Sequence, residues 1–323
     1  MHVKAFTTLA TLSFSPRHVP CRHAPCRAAT LDTGANVVVG GAGTISFLAA
    51  RLAAIEGFAT TLIAPAADLE TARAVMYDTA HPEGSLPIEY LPLSGPGWDG
   101  DALTAAVEAA EGVVLCLDKD WTFTEEQLES FIPGGEAKLQ HVSLMSRNLN
   151  GEGMGFFCSA AKRGANPDVW EATKESIDNY QQAEKVVKAR AEASQATWTI
   201  VRAGTLKGGG SGDSAIGGEG EARFLNAQYY QRNLGSMWQL LYDVGALGVK
   251  LSAGDVMPGP GFTAALTATE RVGNGDSHRG AVATTLVEAM RVPSAANRDF
   301  GVAAVEGKTF PSADQWGDLF SAA

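Results

Sequence analysis

Short runs rich in apolar and β-branched residues alternate along the chain with longer segments in which apolar residues recur every three or four positions. The runs are 37–39 (Val-Val-Val), 59–64 (ATTLIA), 88–91, 112–117 (GVVLCL), 139–145 and 197–202 (TWTIVR). Their length and β-branched content predict strands buried on both faces. The segment 44–55 carries Ile45, Leu48, Leu52 and Ile55 as one stripe, which predicts a helix packed on a sheet. Helices are also predicted over 68–76, 101–110, 124–131 and 168–194, the last after the start signal Asn166-Pro167. Strand and helix alternate, so the expected fold is α/β: a doubly wound parallel sheet in three layers, with right-handed crossovers.

The alternation breaks after residue 206. Residues 207–220 (KGGGSGDSAIGGEG) read as a loop, because Gly and Ser in that density cannot support a core. Residues 221–256 are aromatic and partly helical, with Phe224, Tyr229, Tyr230, Trp238 and Tyr242, and read as a small helical insertion or cap. A helix over 277–290, a strand over 298–305 and a helix from Ser312 return to the main fold. The expected organisation is an α/β domain over 32–206, an insertion over 207–275, and the rest of the same domain over 276–323.

Residues 1–31 differ from everything that follows. They hold Lys4, Arg17, Arg22 and Arg27, many hydroxyl residues and no acid, a composition typical of a transit peptide. The apolar stretch 5–14 is short and broken by threonines, so no transmembrane segment is expected. With those four cations set aside, 21 basic residues face 36 acidic ones, a net charge of −15. That balance disfavours nucleic acid as a partner. Beyond residue 31 only Cys116 and Cys158 remain, and His81, His141 and His278 have no metal-ligand spacing, so no disulfide framework and no metal site is expected.

The candidate chemistry sits at the first strand–helix junction, VVVGGAGTIS. Glycines there let the chain turn sharply and bring backbone N–H groups close to a phosphate at a helix N-terminus. The pattern Gly40-x-x-Gly43-x-x-Ser46 puts a small polar residue where the dinucleotide fingerprint has its third glycine, the one used for helix–strand packing. No Gly-Lys-Ser or Gly-Lys-Thr follows, which excludes a P-loop. The implied ligand is a diphosphate, held by Gly40, Gly41, Gly43, Thr44 and Ile45.

Several stretches together resemble the atypical, extended-like short-chain dehydrogenase/reductases, an NAD(P)-binding Rossmann-fold family with plastid members. They are VVVGGAGTIS, HVSLMS, the long helix with Tyr180 and Lys185, TWTIVRAGTL and GDSHRGAVATTLVEAM. TWTIVRAG is similar to a family strand that ends in Arg-Pro-Gly, with Ala203 in place of the proline. The resemblance makes Ser146, Tyr180 and Lys185 the catalytic candidates and adds Arg202 to the cofactor site. In active relatives Tyr and Lys are four apart on one helical face. Here they are five apart, which separates them by about 140°, and Glu184 stands where the lysine would.

The resemblance implies NADP or NAD as cofactor, with NADP set slightly ahead. The second strand ends in Ala64-Pro65-Ala66, with Asp68 and Arg73 nearby, and Asp68 reads equally as a helix N-cap. Two functions are expected. One is an NADP-dependent reductase with a degenerate Tyr/Lys pair. The other is a non-catalytic scaffold or assembly factor for an organellar, photosynthetic protein complex. The chloroplast is the expected location, with the mitochondrion as alternative.

Overall fold

The computed structural model describes residues 30–78, 80–117, 123–134, 138–147, 174–208, 225, 247–254, 276–307 and 309–323. The N-terminal 29 residues and most of the aromatic insertion, including Tyr229, Tyr230, Trp238 and Tyr242, lie outside the described residues, as does Cys158.

In chain order the strands are β1 (Asn36–Gly41), β2 (Ala59–Ala64), β3 (Ile88–Pro92), β4 (Gly112–Cys116), β5 (His141–Arg147), β6 (Thr197–Ala203), β7 (Thr205–Lys207), β8 (Gly248–Ala253), β9 (Asp276–His278) and β10 (Arg298–Val305). The helices are α1 (Thr44–Ile55), α2 (Ala66–Met76), α3 (Gly100–Ala109), α4 (Glu125–Phe131), α5 (Lys174–Ala193), α6 (Arg279–Glu288) and α7 (Ala313–Ala322). One eight-stranded sheet runs β3-β2-β1-β4-β5-β6-β10-β8. All its pairings are parallel except β10 with β8. The strand order reverses at β1, as in the doubly wound dinucleotide-binding fold, so a ligand crevice is expected at the carboxyl ends of β1 and β4.

Two apolar layers sandwich the sheet. Side chains alternate between faces along each strand, so Val37, Val39, Val114, Cys116, Met145 and Val201 meet α1 and α6. Val38, Val113, Leu115, Val142, Leu144 and Ile200 meet α4 and α5. Helix α1 is buried nearly throughout because α6 packs across it. Polar groups in the sheet are satisfied across layers: Ser143 Oγ donates to Leu286 O at 2.9 Å and Thr199 Oγ1 to Ala295 O at 2.7 Å. Such pairing removes most of the cost of burying a hydroxyl.

Three details differ from the sequence expectations. Gly248–Ala253, inside the interval read as an insertion, is the edge strand β8 of the main sheet. The N-cap of α2 is Pro65, and Asp68 lies in the first turn instead of capping it. The predicted helix from 277 starts two residues later, because 276–278 form β9, which pairs with β7 in a separate two-stranded sheet. His278 is the N-cap of α6, its Nδ1 accepting from the Gly280 N–H at 3.0 Å.

Candidate functional site

The glycine turn closes β1 onto α1. Gly43 is the N-cap of α1 at φ 122°, a conformation that side-chain-bearing residues rarely adopt. Ser46 fills the place of the third fingerprint glycine at no cost in fit. Its Oγ donates to Gly43 O at 2.9 Å, and its Cβ lies 2.9 Å from where a Cβ on Gly41 would stand. Gly41 must stay bare, because a Cβ there would meet not only Ser46 but also the Cys116 backbone oxygen at 3.0 Å. Gly40 serves packing as well, since a Cβ there would come within 2.9 Å of the Phe131 ring of α4. The turn through Thr44 and Ile45 is buried, which keeps it out of bulk water, where a phosphate hydrogen bond gains strength.

Ser146, Tyr180 and Arg202 lie on one side of the sheet, the side covered by α5. Ser146 and Arg202 are register partners near the ends of β5 and β6. Each follows by two residues a member of the layer that also holds Tyr180, namely Leu144 and Ile200, so all three share the α5 side. Ser146 is fully buried, and among the described residues its Oγ has no hydrogen-bond partner. An orphaned buried hydroxyl at the carboxyl edge of a doubly wound sheet is the kind of group a ligand oxygen satisfies.

Lys185 does not join this group. It is exposed, while Tyr180 is buried, as the five-residue spacing on α5 requires. The residue one turn beyond Tyr180 is Glu184, and its carboxylate grips Arg202 in bidentate fashion, at 2.9 Å from Nε and 2.7 Å from Nη2. Arg202 Nη1 lies 2.8 Å from Asp299 on β10. The cation expected to contact cofactor thus ties α5, β6 and β10 together as the centre of an acid–base–acid triad. Sequence reading flagged Glu184 as an intruder at the lysine position but missed its partner. The pairing depends on a contact 18 residues away that no local pattern encodes.

A second buried ion pair stands beyond the end of β6, where Lys207 Nζ is 3.2 Å from Asp276 Oδ2 and both side chains are inaccessible. Burial holds the Lys207 pKa below its usual value, and Asp276 opposes that shift. At the end of β2 the described residues offer no cation. Arg73 lies with its guanidinium 4.9 Å over the Tyr90 ring, and Arg51 is buried against Asp78 at 2.6 Å. Among the described residues no group of His, Cys, Asp and Glu could hold a metal, and no helix is long and apolar enough to cross a membrane.

No family model and no curated protein sequence matches the chain. Solved structures do show similarity over most of its length. An oxidoreductase from Lactococcus lactis is 9% identical, covers 89% of this chain and 96% of its own, and has a TM-score of 0.47. A short-chain dehydrogenase/reductase superfamily protein from Agrobacterium tumefaciens, solved with bound NAD, is 11% identical over 88% of this chain and 91% of its own, with a TM-score of 0.43. An NADPH-dependent quinone oxidoreductase from Escherichia coli, solved with NADPH, is 13% identical over 88% and 74%, with a TM-score of 0.40. The Rossmann-type assignment itself stands on strand order and on the glycine turn at the point where that order reverses.

Proposed function

We propose that the chain binds a nicotinamide dinucleotide at the turn formed by Gly40, Gly41, Gly43, Thr44 and Ile45, and that it does so without the Tyr/Lys proton relay of active reductases. The observation that carries the binding reading is Gly43, held at φ 122° as the N-cap of α1 at the topological switch point. The orphaned Ser146 hydroxyl supports a ligand oxygen at the nicotinamide end. When bound, the nicotinamide ring supplies or accepts a hydride. Ser146 would orient a carbonyl by donating to its oxygen, and Tyr180 would line the same wall.

The geometry of α5 supports the second half of the proposal. One turn away from Tyr180 in either direction stand Ser176, Ile177, Ala183 and Glu184, and none is a cation. Glu184, one turn from Tyr180, brings a carboxylate already paired with Arg202 where a lysine would bring a cation. This favours the reading of the chain as a binding scaffold or assembly factor over that of a reductase. The end of β2, with Asp68 in the first turn of α2 and Arg73 turned onto Tyr90, favours NAD over NADP. The basic, acid-free residues 1–31 support an organellar address, in the chloroplast or the mitochondrion.

The test is Gly43→Val. Valine at a positive φ would push the turn out of shape and set a branched side chain where the phosphate approaches. NADH should raise the melting temperature of the wild-type chain and leave that of Gly43→Val unmoved, with the variant's circular dichroism native-like. An equal NADH-induced shift in both proteins would remove the diphosphate from this turn.

A further inference from the structure

The far edge of the sheet, at β3, has features that nucleotide binding does not use. Among the described residues β3 pairs only with β2. Thr60 N–H donates to Pro87 O and Leu93 N–H to Ala64 O, so odd-numbered residues of this strand bond inward and the N–H and C=O of Tyr90 point away from the sheet. Pro92, with no N–H, ends this open stretch. Just beyond it stands Trp98, 57% exposed; among the described residues the only other exposed large apolar side chain is Val305. Its ring lies over Gly100 at the start of α3, so close that a Cβ there would meet it at 3.2 Å.

The charge around this edge is mainly negative, although Arg73 lies with its guanidinium 4.9 Å over the Tyr90 ring and Asp78 is paired with Arg51. Residues 74–117 contain seven carboxylates and no Lys or Arg. Glu89 is exposed on the edge strand itself, and Asp99 and Asp101 are exposed beside Trp98. A second copy of the chain pairing edge to edge would set these carboxylates against one another, and a nucleic acid would be repelled.

We propose that the open edge of β3, together with Trp98, docks a short extended segment of a partner protein rich in arginine or lysine. Such a segment would exchange backbone hydrogen bonds with Tyr90 and lay a guanidinium on the exposed indole, with further cations facing Glu89, Asp99 and Asp101. The inference stands apart from the nucleotide site, which lies at the ends of β1 and β4.

The experiment titrates the full chain into a fluorescein-labelled hexapeptide of alternating arginine and valine at low salt, following anisotropy and amide hydrogen exchange. The expected result is saturable binding that slows exchange at the Tyr90 amide and is weakened about tenfold or more in Trp98→Ala and in Glu89→Lys. Both positions are exposed, so both variants should keep the wild-type circular dichroism. The matching peptide of alternating glutamate and valine should not bind. Equal affinity in the two variants, or slowed exchange away from β3, would overturn the proposal. So would slowing of Tyr90 exchange by raised protein concentration alone, which would assign the edge to self-association.

Discussion

Replacing Arg202 by methionine should lower the free energy of unfolding by about 3–5 kcal/mol, because it strands the Glu184 carboxylate in a buried layer without its counter-charge. Arg202 is 8% exposed and Glu184 4%, so water can do little to rescue the orphan. Asp299, more than a third exposed, can turn to solvent and loses far less. The double variant Arg202→Met with Glu184→Leu should recover most of the loss, ending within about 1 kcal/mol of wild type, since two apolar groups of similar volume need no partner. Urea denaturation of the four proteins of this cycle measures the coupling. A single Arg202→Met variant as stable as wild type would mean that the triad does not bind α5 to the sheet.

Acid should destabilise the chain over a defined window, and His141 sets it. Its ring is fully buried at the start of β5. Thr197 Oγ1 donates to Gln140 O, so His141 Nδ1–H donates to Thr197 Oγ1 at 2.7 Å, while Nε2 has no partner. Burial alone pushes its pKa from the usual 6.5 down to about 3. A depressed folded pKa means that between those values the unfolded chain takes up a proton that the folded one refuses. Stability from this group is complete above pH 6.5 and falls as pH drops toward 3, by up to about 5 kcal/mol at 1.4 kcal/mol per unit. His141→Leu should flatten that part of the pH profile, while Thr197 keeps its bond to Gln140 O. Parallel profiles for wild type and variant between pH 6.5 and 4 would show that another group carries the acid sensitivity.

The parallel core was legible because buried strands must be apolar on both faces. Val37 to Val39 and Val113 to Cys116 are unbroken apolar runs, residues 59–64 (ATTLIA) are interrupted only by β-branched threonines, and α1 carries a clear stripe. β8 was not legible for the opposite reason. Gly248–Ala253 is a half-exposed edge strand that alternates Val249 and Leu251 with polar and small residues, and its register is fixed by β10, whose residues follow some fifty positions later. β7 and β9, at three residues each, are too short to show a period.

The site divides in the same way. The glycine turn was visible because a positive φ at a strand–helix junction selects its residue type directly. The divergence of Tyr180 from Lys185 followed from helical geometry alone. The fate of Arg202 did not, because a guanidinium at a strand end serves a phosphate, a carboxylate ligand or a neighbouring helix equally well. Only the fold brings Glu184 and Asp299 to it. Ser46 shows a subtler case, in which an apparent loss of the fingerprint leaves the turn closed by a hydrogen bond from the serine to Gly43 O.

The central claim is that the turn after β1 still holds a dinucleotide. Calorimetric titration of NADH, and separately of NADPH, into the purified chain tests it most directly. The account predicts binding of NADH in the micromolar range, about −8 kcal/mol, with NADPH weaker because Asp68 and no cation meets its extra phosphate. No heat with either nucleotide would contradict it and leave a Rossmann fold whose glycine turn only packs.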